Sequence, residues 1–227
     1  SVADNAFWIY HEMETVKLPN TIYKFGSSVF SNSYDIKYLE GEGNSYYQIY
    51  DNRAIITDGE TIAGYAPANP ATEFKIPENV KYIGTSAFRN SQLKVVDASD
   101  SNLISIGESA FEECRQLTSI ILPNSLESIS NNAFRNCSNL GGINLPSTLQ
   151  ELGFYAFYGC ENVKSVVLPE SLETIEIGTF EASGIESIVF PSNLKMIEES
   201  AFANCEGLTR LELPEGVQTI GMRCFDG

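Results

Sequence analysis

The stretch NNAFRNCSNLGGINLPSTLQELGFYAFYGC, from Asn131 to Cys160, contains nearly the same sequence twice. The segment AFRNC returns 23 residues later as AFYGC, and LPSTL lies between the two copies. Self-similarity at a short fixed period is typical of chains in which each repeat packs mainly against its neighbours in sequence. We therefore expect this period to determine the fold of the whole chain.

The aromatic position of this motif recurs along most of the sequence. Its intervals are mostly 23 residues, with one of 22, and the longer gap between Phe30 and Phe88 indicates an insertion. The aromatic residues are Phe7, Phe30, Phe88, Phe111, Phe134, Phe157, Phe180, Phe202 and Phe225. A proline precedes most of them by eleven residues, at Pro19, Pro77, Pro123, Pro146, Pro169, Pro191 and Pro214. Written as one unit, the repeat is LxxIxLPxxLxxIGxxAFxxC.

Two parts of the unit predict local structure. In LTSIILP, the alternation of Ile120 and Leu122 predicts a short strand with one buried face, and Pro123 ends it because proline cannot donate to the next ladder hydrogen bond. The segment around the Ala-Phe pair predicts one short helical or 3₁₀ turn. A single unit cannot bury its apolar face, whereas stacked units can. We expect a β-rich α/β solenoid, a right-handed coil with one parallel sheet in which SIILP and GINLP are neighbouring strands.

The unit LxxIxLPxxLxxIGxxAFxxC resembles the BspA-type leucine-rich repeat, which occurs on bacterial surface proteins and in some protists. The match covers nearly the whole chain and recurs many times in register. The resemblance implies a leucine-rich-repeat solenoid. It also implies a surface-exposed bacterial protein, with adhesion to host matrix proteins or to other cells as the theme of the family.

The pattern divides one continuous solenoid into three parts. Residues 1–42 hold two degenerate repeats, residues 43–67 hold an insertion, and residues 68–227 hold the regular repeats. The insertion is similar to the β-hairpin element that precedes or interrupts such arrays. Its own residues agree, because β-forming residues flank Asp58-Gly59, a dipeptide suited to the positive φ angles of a tight hairpin turn.

Charge and apolar patterning exclude several classes of partner. The chain has 14 Lys and Arg against 30 Asp and Glu, a formal net charge of −16, and its basic residues are scattered. This argues against binding to nucleic acid or to anionic membranes. No apolar run approaches the roughly 18 residues of a membrane span, so we expect no membrane insertion.

Five cysteines invite a chemical interpretation. Four of them follow the repeat aromatic by three residues, and serine fills the same position in other coils. They are Cys114, Cys137, Cys160 and Cys205, whereas Cys224 replaces the alanine of the Ala-Phe pair. One thiol per coil and one histidine in the chain do not build a tetrahedral zinc site. We expect buried free thiols, although disulfides between adjacent coils are conceivable.

Catalysis has little support in the sequence, and we expect neither an enzyme nor a cofactor. The single histidine, His11, lies in a degenerate repeat, and no Gly-rich phosphate loop is present. Carboxylates such as Glu112, Glu113, Glu198 and Glu199 are best interpreted as a solvated acidic face, although a spatial carboxylate pair remains open.

A first candidate binding surface lies on the predicted sheet. The residues on either side of the buried isoleucine of LxxIxL point outward and form two columns. The first is Thr15, Tyr38, Val95, Ser119, Gly142, Ser165, Ser187 and Arg210; the second is Lys17, Glu40, Asp97, Ile121, Asn144, Val167, Val189 and Glu212. Ile121, Val167 and Val189 form an apolar stretch that Asn144 interrupts. The stretch is either a contact surface or plain β-propensity on a solvated sheet.

A second candidate surface is aromatic. Tyrosines concentrate in the first 82 residues, and the insertion contains Tyr46, Tyr47, Tyr50 and Tyr65. Tyrosine supplies contact area at low entropic cost, which suits recognition of a protein or a glycan. Hairpins also favour tyrosine, so a structural role is the alternative.

The sequence thus predicts an extracellular protein-interaction or adhesion module, and the alternative is a structural spacer that binds nothing. We expect a monomer or weak end-to-end association. The chain starts and stops within repeat units, so we expect an excerpt of a longer protein. Amides after Leu213 should then be less protected from hydrogen exchange than those around Ile143 and Val166.

Overall fold

The computed structural model describes residues 1–8 and 12–227, so His11 lies outside the described residues. The chain winds into coils whose strands pair in parallel with those of neighbouring coils. Its strands, in chain order, are β1 Thr15–Lys17, β2 Tyr38–Glu40, β3 Tyr47–Tyr50, β4 Ala54–Thr57, β5 Thr61–Tyr65, β6 Glu73–Lys75, β7 Tyr82–Ile83, β8 Val95–Asp97, β9 Ser105–Ile106, β10 Ser119–Ile121, β11 Ser128–Ile129, β12 Glu151–Leu152, β13 Ser165–Val167, β14 Thr174–Ile175, β15 Ser187–Val189, β16 Met196–Ile197 and β17 Thr219–Ile220.

The first face of the solenoid carries the three-residue strands of the LxxIxL segments. In parallel ladders, β1 pairs with β2, β8 lies between β6 and β10, and β13 pairs with β15. The central residue of each strand points inward and its neighbours point outward, as Val166 does between Ser165 and Val167. The alternation that the sequence predicted is confirmed.

A second face carries another parallel ladder, which the sequence analysis did not predict. Its two-residue strands come from the segment between the proline and the Ala-Phe turn, such as Ser128–Ile129. One sheet runs in the order β12, β11, β9, β7, β5, β4, β3, and a second contains β14, β16 and β17. The expectation of one sheet was wrong, because a two-residue strand is too short for its alternation to show in the sequence.

The insertion forms three antiparallel strands rather than one hairpin. Strand β4 pairs with β3 and β5, and β5 pairs in parallel with β7, so the insertion extends the second face. Ala54 and Ile56 belong to one hydrophobic cluster, whereas Ile55 belongs to the other. Strand β4 is therefore buried on both faces and joins the two clusters. The predicted turn is confirmed, with φ of 53° at Asp58 and 69° at Gly59.

The repeat phenylalanines form a continuous stack through the core. From Phe88 to Phe225, successive ring centroids lie 4.9–5.6 Å apart and the ring planes are nearly parallel. At the insertion, Tyr65 takes the neighbouring position, 5.1 Å from Phe88. The stack fills the space between coils in the way that the Ala-Phe motif predicted.

The turn that carries each aromatic is not helical, so the expectation of a helical or 3₁₀ turn is not confirmed. Residues two positions before and after the aromatic adopt positive φ, as at Asn132 (57°) and Asn136 (58°). Left-handed residues interrupt a helix. They also turn alternate amides toward the next coil, and the N–H of Phe134 donates to the carbonyl of Ala156 at 2.9 Å. The turns thus form a third hydrogen-bonded ladder.

All five cysteines are buried and free, and this confirms the predicted packing role. Each thiol of the column donates to the carbonyl of the preceding repeat aromatic, as Cys137 Sγ does to Phe111 at 3.0 Å. In the coil before Cys114, a serine occupies the position that cysteine takes in the next coils. Its hydroxyl oxygen, Ser91 Oγ, lies 3.3 Å from Cys114 Sγ. Serine substitutes because a hydroxyl fits the same hydrogen-bonded column.

The first-face ladder is interrupted at the coil of residues 142–145, and residues 208–214 of the last coil also form no strand. The sequence predicted GINLP as a strand beside SIILP, and that prediction was wrong, because residues 142–145 form no strand. Just before this segment, the N–H of Gly141 donates to the carbonyl of Thr118, the residue before β10, at 3.1 Å. Two consecutive glycines explain the loss, since glycine gives up the most backbone entropy and provides no side chain to pack. On the second face, β12 and β14 do not pair with each other.

Candidate interaction surface

The outward columns of the first face are in register wherever strands pair. Lys17 lies opposite Glu40, Ile121 opposite Asp97, and Val167 opposite Val189. The columns that the sequence predicted are therefore present on the surface. The sequence analysis missed the coil of β6, whose Lys75 lies opposite Asp97. The proline at position 77 marked that coil and could have revealed it.

The three apolar members of the second column are exposed. The exposed fraction is 46% for Ile121, 63% for Val167 and 57% for Val189. Buried residues beneath them, such as Val166, already fill the core, so these side chains are not needed for packing. Val167 and Val189 lie opposite each other on paired strands, and clustered apolar side chains of this kind indicate a contact surface more strongly than scattered ones do.

Asn144, Arg210 and Glu212 are exposed but do not continue these ladders. Asn144 lies in the strandless segment 142–145, where the sheet is interrupted between Ile121 and Val167. Arg210 and Glu212 also lie outside the strands, and their side chains form an ion pair with each other. The structure therefore brings Val167 and Val189 together and leaves the other predicted members on separate segments.

The tyrosines divide into two groups. Tyr38, Tyr46 and Tyr50 are exposed and remain candidate contact residues. Tyr47 and Tyr65 are buried, so their proposed place on a binding surface was wrong. Tyr47 donates its hydroxyl to the carbonyls of Leu18 and Pro19 at 3.2 and 3.1 Å.

Tyr65 belongs to the aromatic stack, and burial raises its pKa to about 12. Both buried tyrosines are structural because β3 and β5 turn one side into the core.

Charged pairs flank the apolar column. Lys75 donates to Asp100 at 2.7 Å, and this hydrogen bond raises the pKa of Lys75. Hydrogen bonds from Ser99 hold the pKa of Asp97 below its usual range. Lys164 and Glu186 lie 3.6 Å apart beside β13 and β15. The surface therefore has an apolar centre with a charged, solvated border, which is the general plan of a protein contact site.

The described residues show no arrangement for metal chemistry. Among residues 1–8 and 12–227, no three side chains of His, Cys, Asp or Glu lie close enough together to hold a metal ion. Burial raises the pKa of every cysteine, Cys114 to about 12 and Cys224 to about 11. A buried thiol with a raised pKa is a poor nucleophile.

One further exposed aromatic residue escaped the sequence analysis. Phe154 is 41% exposed and lies beside β12 on the second face. Other repeats have Thr85, Glu108 or Asn131 at this position. Ile177 and Met222 occupy the same position in later repeats, and Phe154 is the aromatic member of this column, which was the signal that could have identified it.

No helix of the described chain has the length and apolar character required to cross a membrane. The model of the family described as BspA type leucine rich repeat region matches the chain in six copies, over residues 1–53, 63–181 and 134–227. No curated protein sequence matches the chain.

Several solved structures are similar to the chain. A leucine-rich repeat protein from Eubacterium ventriosum has a TM-score of 0.83 at 24% identity, over 94% of this chain and 58% of that one. The pneumococcal vaccine antigen PcpA has a TM-score of 0.71 at 23% identity, over 96% of this chain and 53% of that one. The leucine-rich repeat protein of T. pallidum is 30% identical, with a TM-score of 0.65, over 77% of this chain and 82% of that one. The chain thus spans little more than half of the first two.

Proposed function

This chain belongs to the BspA-type leucine-rich repeat family, and from that premise we propose that it is a non-catalytic module of a bacterial surface protein that binds another protein. The first face of the solenoid is the contact surface, and adhesion to a host matrix protein or to another cell is the outcome of binding. The similarity to a pneumococcal vaccine antigen supports exposure at the cell surface.

The observation that carries this proposal is the exposure of Val167 and Val189, which lie opposite each other on paired strands, together with Ile121, which is exposed on the preceding ladder. A partner that covers these side chains removes their apolar surface from water, which is the main favourable contribution to most protein–protein association. The exposed Tyr38, Tyr46 and Tyr50 are the second part of the proposal, since tyrosine suits contact with a protein or a glycan.

Binding to a panel of extracellular matrix proteins and glycans tests the proposal. For any panel member that binds, the double variant Val167→Lys/Val189→Lys should weaken binding by at least about tenfold, because lysine keeps the column polar and hydrated. The control Asn124→Lys/Ser147→Lys adds the same charge at exposed loop positions and should leave the affinity unchanged.

Equal affinities of the two double variants would contradict the proposal that the first face binds the partner. Failure of the whole panel to bind would favour the second candidate, a structural spacer. The ion pair of Arg210 with Glu212 and the polar residues Ser165 and Ser187 in the first column are the observations that fit a spacer.

A further inference from the structure

The third ladder, which the turns form, opens between the coil of Phe30 and the coil that follows the insertion. In later coils, the residue two positions after the aromatic donates its N–H to the next coil, as Asn90 does to the carbonyl of Glu112 at 3.0 Å. At the Phe30 coil, the equivalent donor is the N–H of Asn32 and the equivalent acceptor is the carbonyl of Arg89. In the part of the chain that the structure describes, these two groups make no backbone hydrogen bond.

The insertion explains this opening. Tyr65 of β5 stacks on the next ring, in the place that Phe30 would otherwise take. A Cβ at Gly64 would lie 3.0 Å from Cδ2 of Phe30, so β5 packs directly against that ring. The N–H of Ser28 still donates to the carbonyl of Thr85 at 3.3 Å. The two turns are therefore joined where they begin and separate toward their ends.

A groove of about 510 Å³ lies at the separated ends of the turns. Three neighbouring coils contribute to its lining. Tyr34 comes from the coil of Phe30, Asn90 and Gln92 come from the coil after the insertion, and Gln116 comes from the coil beyond that. The volume lies in the range of sites that bind small molecules.

Hydrogen bonds hold the side chains at the edge of the groove, and one donor there is unpaired. Asn32 Oδ1 accepts hydrogen bonds from Asn90 Nδ2 at 3.2 Å and from the hydroxyl of Tyr34 at 3.1 Å. Arg89 also lines the groove, and its buried Nε has no hydrogen-bond partner among the described residues. Buried polar groups are normally paired, so an unpaired donor beside a groove indicates an acceptor that a ligand supplies.

The charges around the groove cancel. Arg89 pairs with Glu112 at 3.1 Å, and Arg115 pairs with Glu113 at 2.8 Å. A charged ligand therefore meets no uncompensated charge of the opposite sign in these pairs. The side-chain amides that line the groove are uncharged, and each of them can both donate and accept hydrogen bonds. These features favour a neutral ligand with many polar groups.

We propose that this groove binds a neutral oligosaccharide, either free or carried by a glycoprotein. Each sugar hydroxyl donates and accepts, which matches the amides and the arginine–carboxylate pairs of the lining. The ring of Tyr34 is 53% exposed and offers an apolar face to the C–H side of a sugar ring. Among the described lining residues, Tyr34 alone has such a face, so the groove provides no apolar pocket to anchor a peptide side chain. The site does not depend on the function proposed for the first face.

Titration with three neutral tetrasaccharides, chitotetraose, maltotetraose and lacto-N-tetraose, tests the proposal by NMR of the ¹⁵N-labelled protein. At least one of them should bind with a Kd below about 1 mM. The shifted amides should include those of Asn90, Gln92 and Gln116. A heparin tetrasaccharide should not bind, because the chain has a net charge of −16 and would repel it.

Variants of Tyr34 separate a site in the groove from binding elsewhere. Tyr34→Ala should weaken binding of the tetrasaccharide by about tenfold, whereas Tyr34→Phe keeps the ring and should weaken it by less than about threefold. The matched control Tyr23→Ala removes a 61% exposed tyrosine outside the groove and should leave the affinity unchanged.

Circular dichroism of the three variants checks that they remain folded. Failure of all three neutral tetrasaccharides to bind would overturn the proposal. Equal losses of affinity in Tyr34→Ala and Tyr23→Ala, shifts confined to the first face, or binding of the heparin tetrasaccharide would each overturn it as well.

Discussion

The ring of Phe134 lies 5.3 Å from the ring of Phe111, and the two planes are within 1° of parallel. Both side chains are fully buried. The adjacent Ala133 and Ala110 are buried as well, and their small side chains let the coils approach closely enough for the rings to stack. The aromatic at every repeat therefore fixes the spacing of the coils.

Removing one ring should destabilise the whole solenoid. We expect Phe134→Ala to lower the free energy of unfolding by about 3–5 kcal/mol, because it leaves a cavity between two coils. The control Phe154→Ala removes the same ring from an exposed position and should cost less than about 0.5 kcal/mol. Urea denaturation followed by circular dichroism measures both. Similar losses in the two variants would show that the stack does not carry the stability.

The coil without a strand should tolerate a side chain at Gly142, and this side chain should increase the stability of the protein. A Cβ at Gly142 would meet no atom within 4 Å, whereas one at Gly153 would lie 2.5 Å from the amide nitrogen of Asn131. We expect Gly142→Ser to stabilise the protein by about 0.5–1 kcal/mol by reducing the entropy of the unfolded chain. Gly153→Ala should destabilise it. Unfolding midpoints in urea compare the two, and loss of stability in Gly142→Ser would contradict the explanation of the gap.

Amide hydrogen exchange should be slower where strands pair in ladders than where they do not. We expect amides of residues 143–145 to exchange faster than those of β13 and β15, because residues 142–145 form no strand. In the last described coil, Ile220 is 48% exposed, whereas Ile129 is fully buried. The amides after Leu213 should therefore exchange faster than those near Ile129. Mass-spectrometric exchange at low protein concentration tests both statements, and uniform protection along the chain would refute them.

The thiols should react with a thiol reagent only slowly until the protein unfolds. Burial raises the pKa of Cys137 well above its ordinary value, so at pH 8 the thiolate form is scarce and also inaccessible. A thiol reagent should react slowly with the native protein at pH 8. In denaturant without reductant it should titrate close to five groups, since all five cysteines are free. A titre of one or three would reveal disulfides and overturn this account.

Neutralising Glu176 and neutralising Glu113 should change the stability of the protein in opposite directions at pH 7. Burial and Glu198 raise the pKa of Glu176, so its charged form is disfavoured in the folded state and stability is lost as the pH rises through that pKa. Glu176→Gln should therefore stabilise the protein at pH 7 relative to its effect at pH 3.

Burial opposes ionisation of Glu113 too, but hydrogen bonds from Asn136 and Arg115 outweigh it and lower the pKa. That contribution to stability is present at pH 7 and lost as the pH falls, so Glu113→Gln should destabilise the protein at pH 7. Urea denaturation at both pH values measures the two variants. Effects of the same sign at pH 7 would contradict the assignment.

The sequence predicted those features that repeat at every coil. The buried aromatic, the buried thiols and the in-register columns each depend on a residue type that returns at a fixed interval, so one unit describes them all. Prediction from the sequence failed where the residues that determine a feature do not recur at a fixed interval. Gly141 and Gly142 break the sheet at one coil, and Tyr47 and Tyr65 are buried because of pairing within the insertion. Tertiary contacts decided those positions, and a single sequence does not display them.

The left-handed turns have a consequence for the electrical polarity of the molecule. The N–H groups of Asn132, Phe134 and Asn136 all donate to the following coil, and none of the three donates backward. Their peptide dipoles, about 3.5 D each, consequently point the same way along the solenoid axis and add, as they do in an α-helix. The column of turns is partially positive toward the later coils and partially negative toward the earlier ones. On the strand faces, amides such as those of Glu151 and Gly153 donate to the preceding coil instead, so the polarity belongs to the column of turns and is offset elsewhere along the same axis.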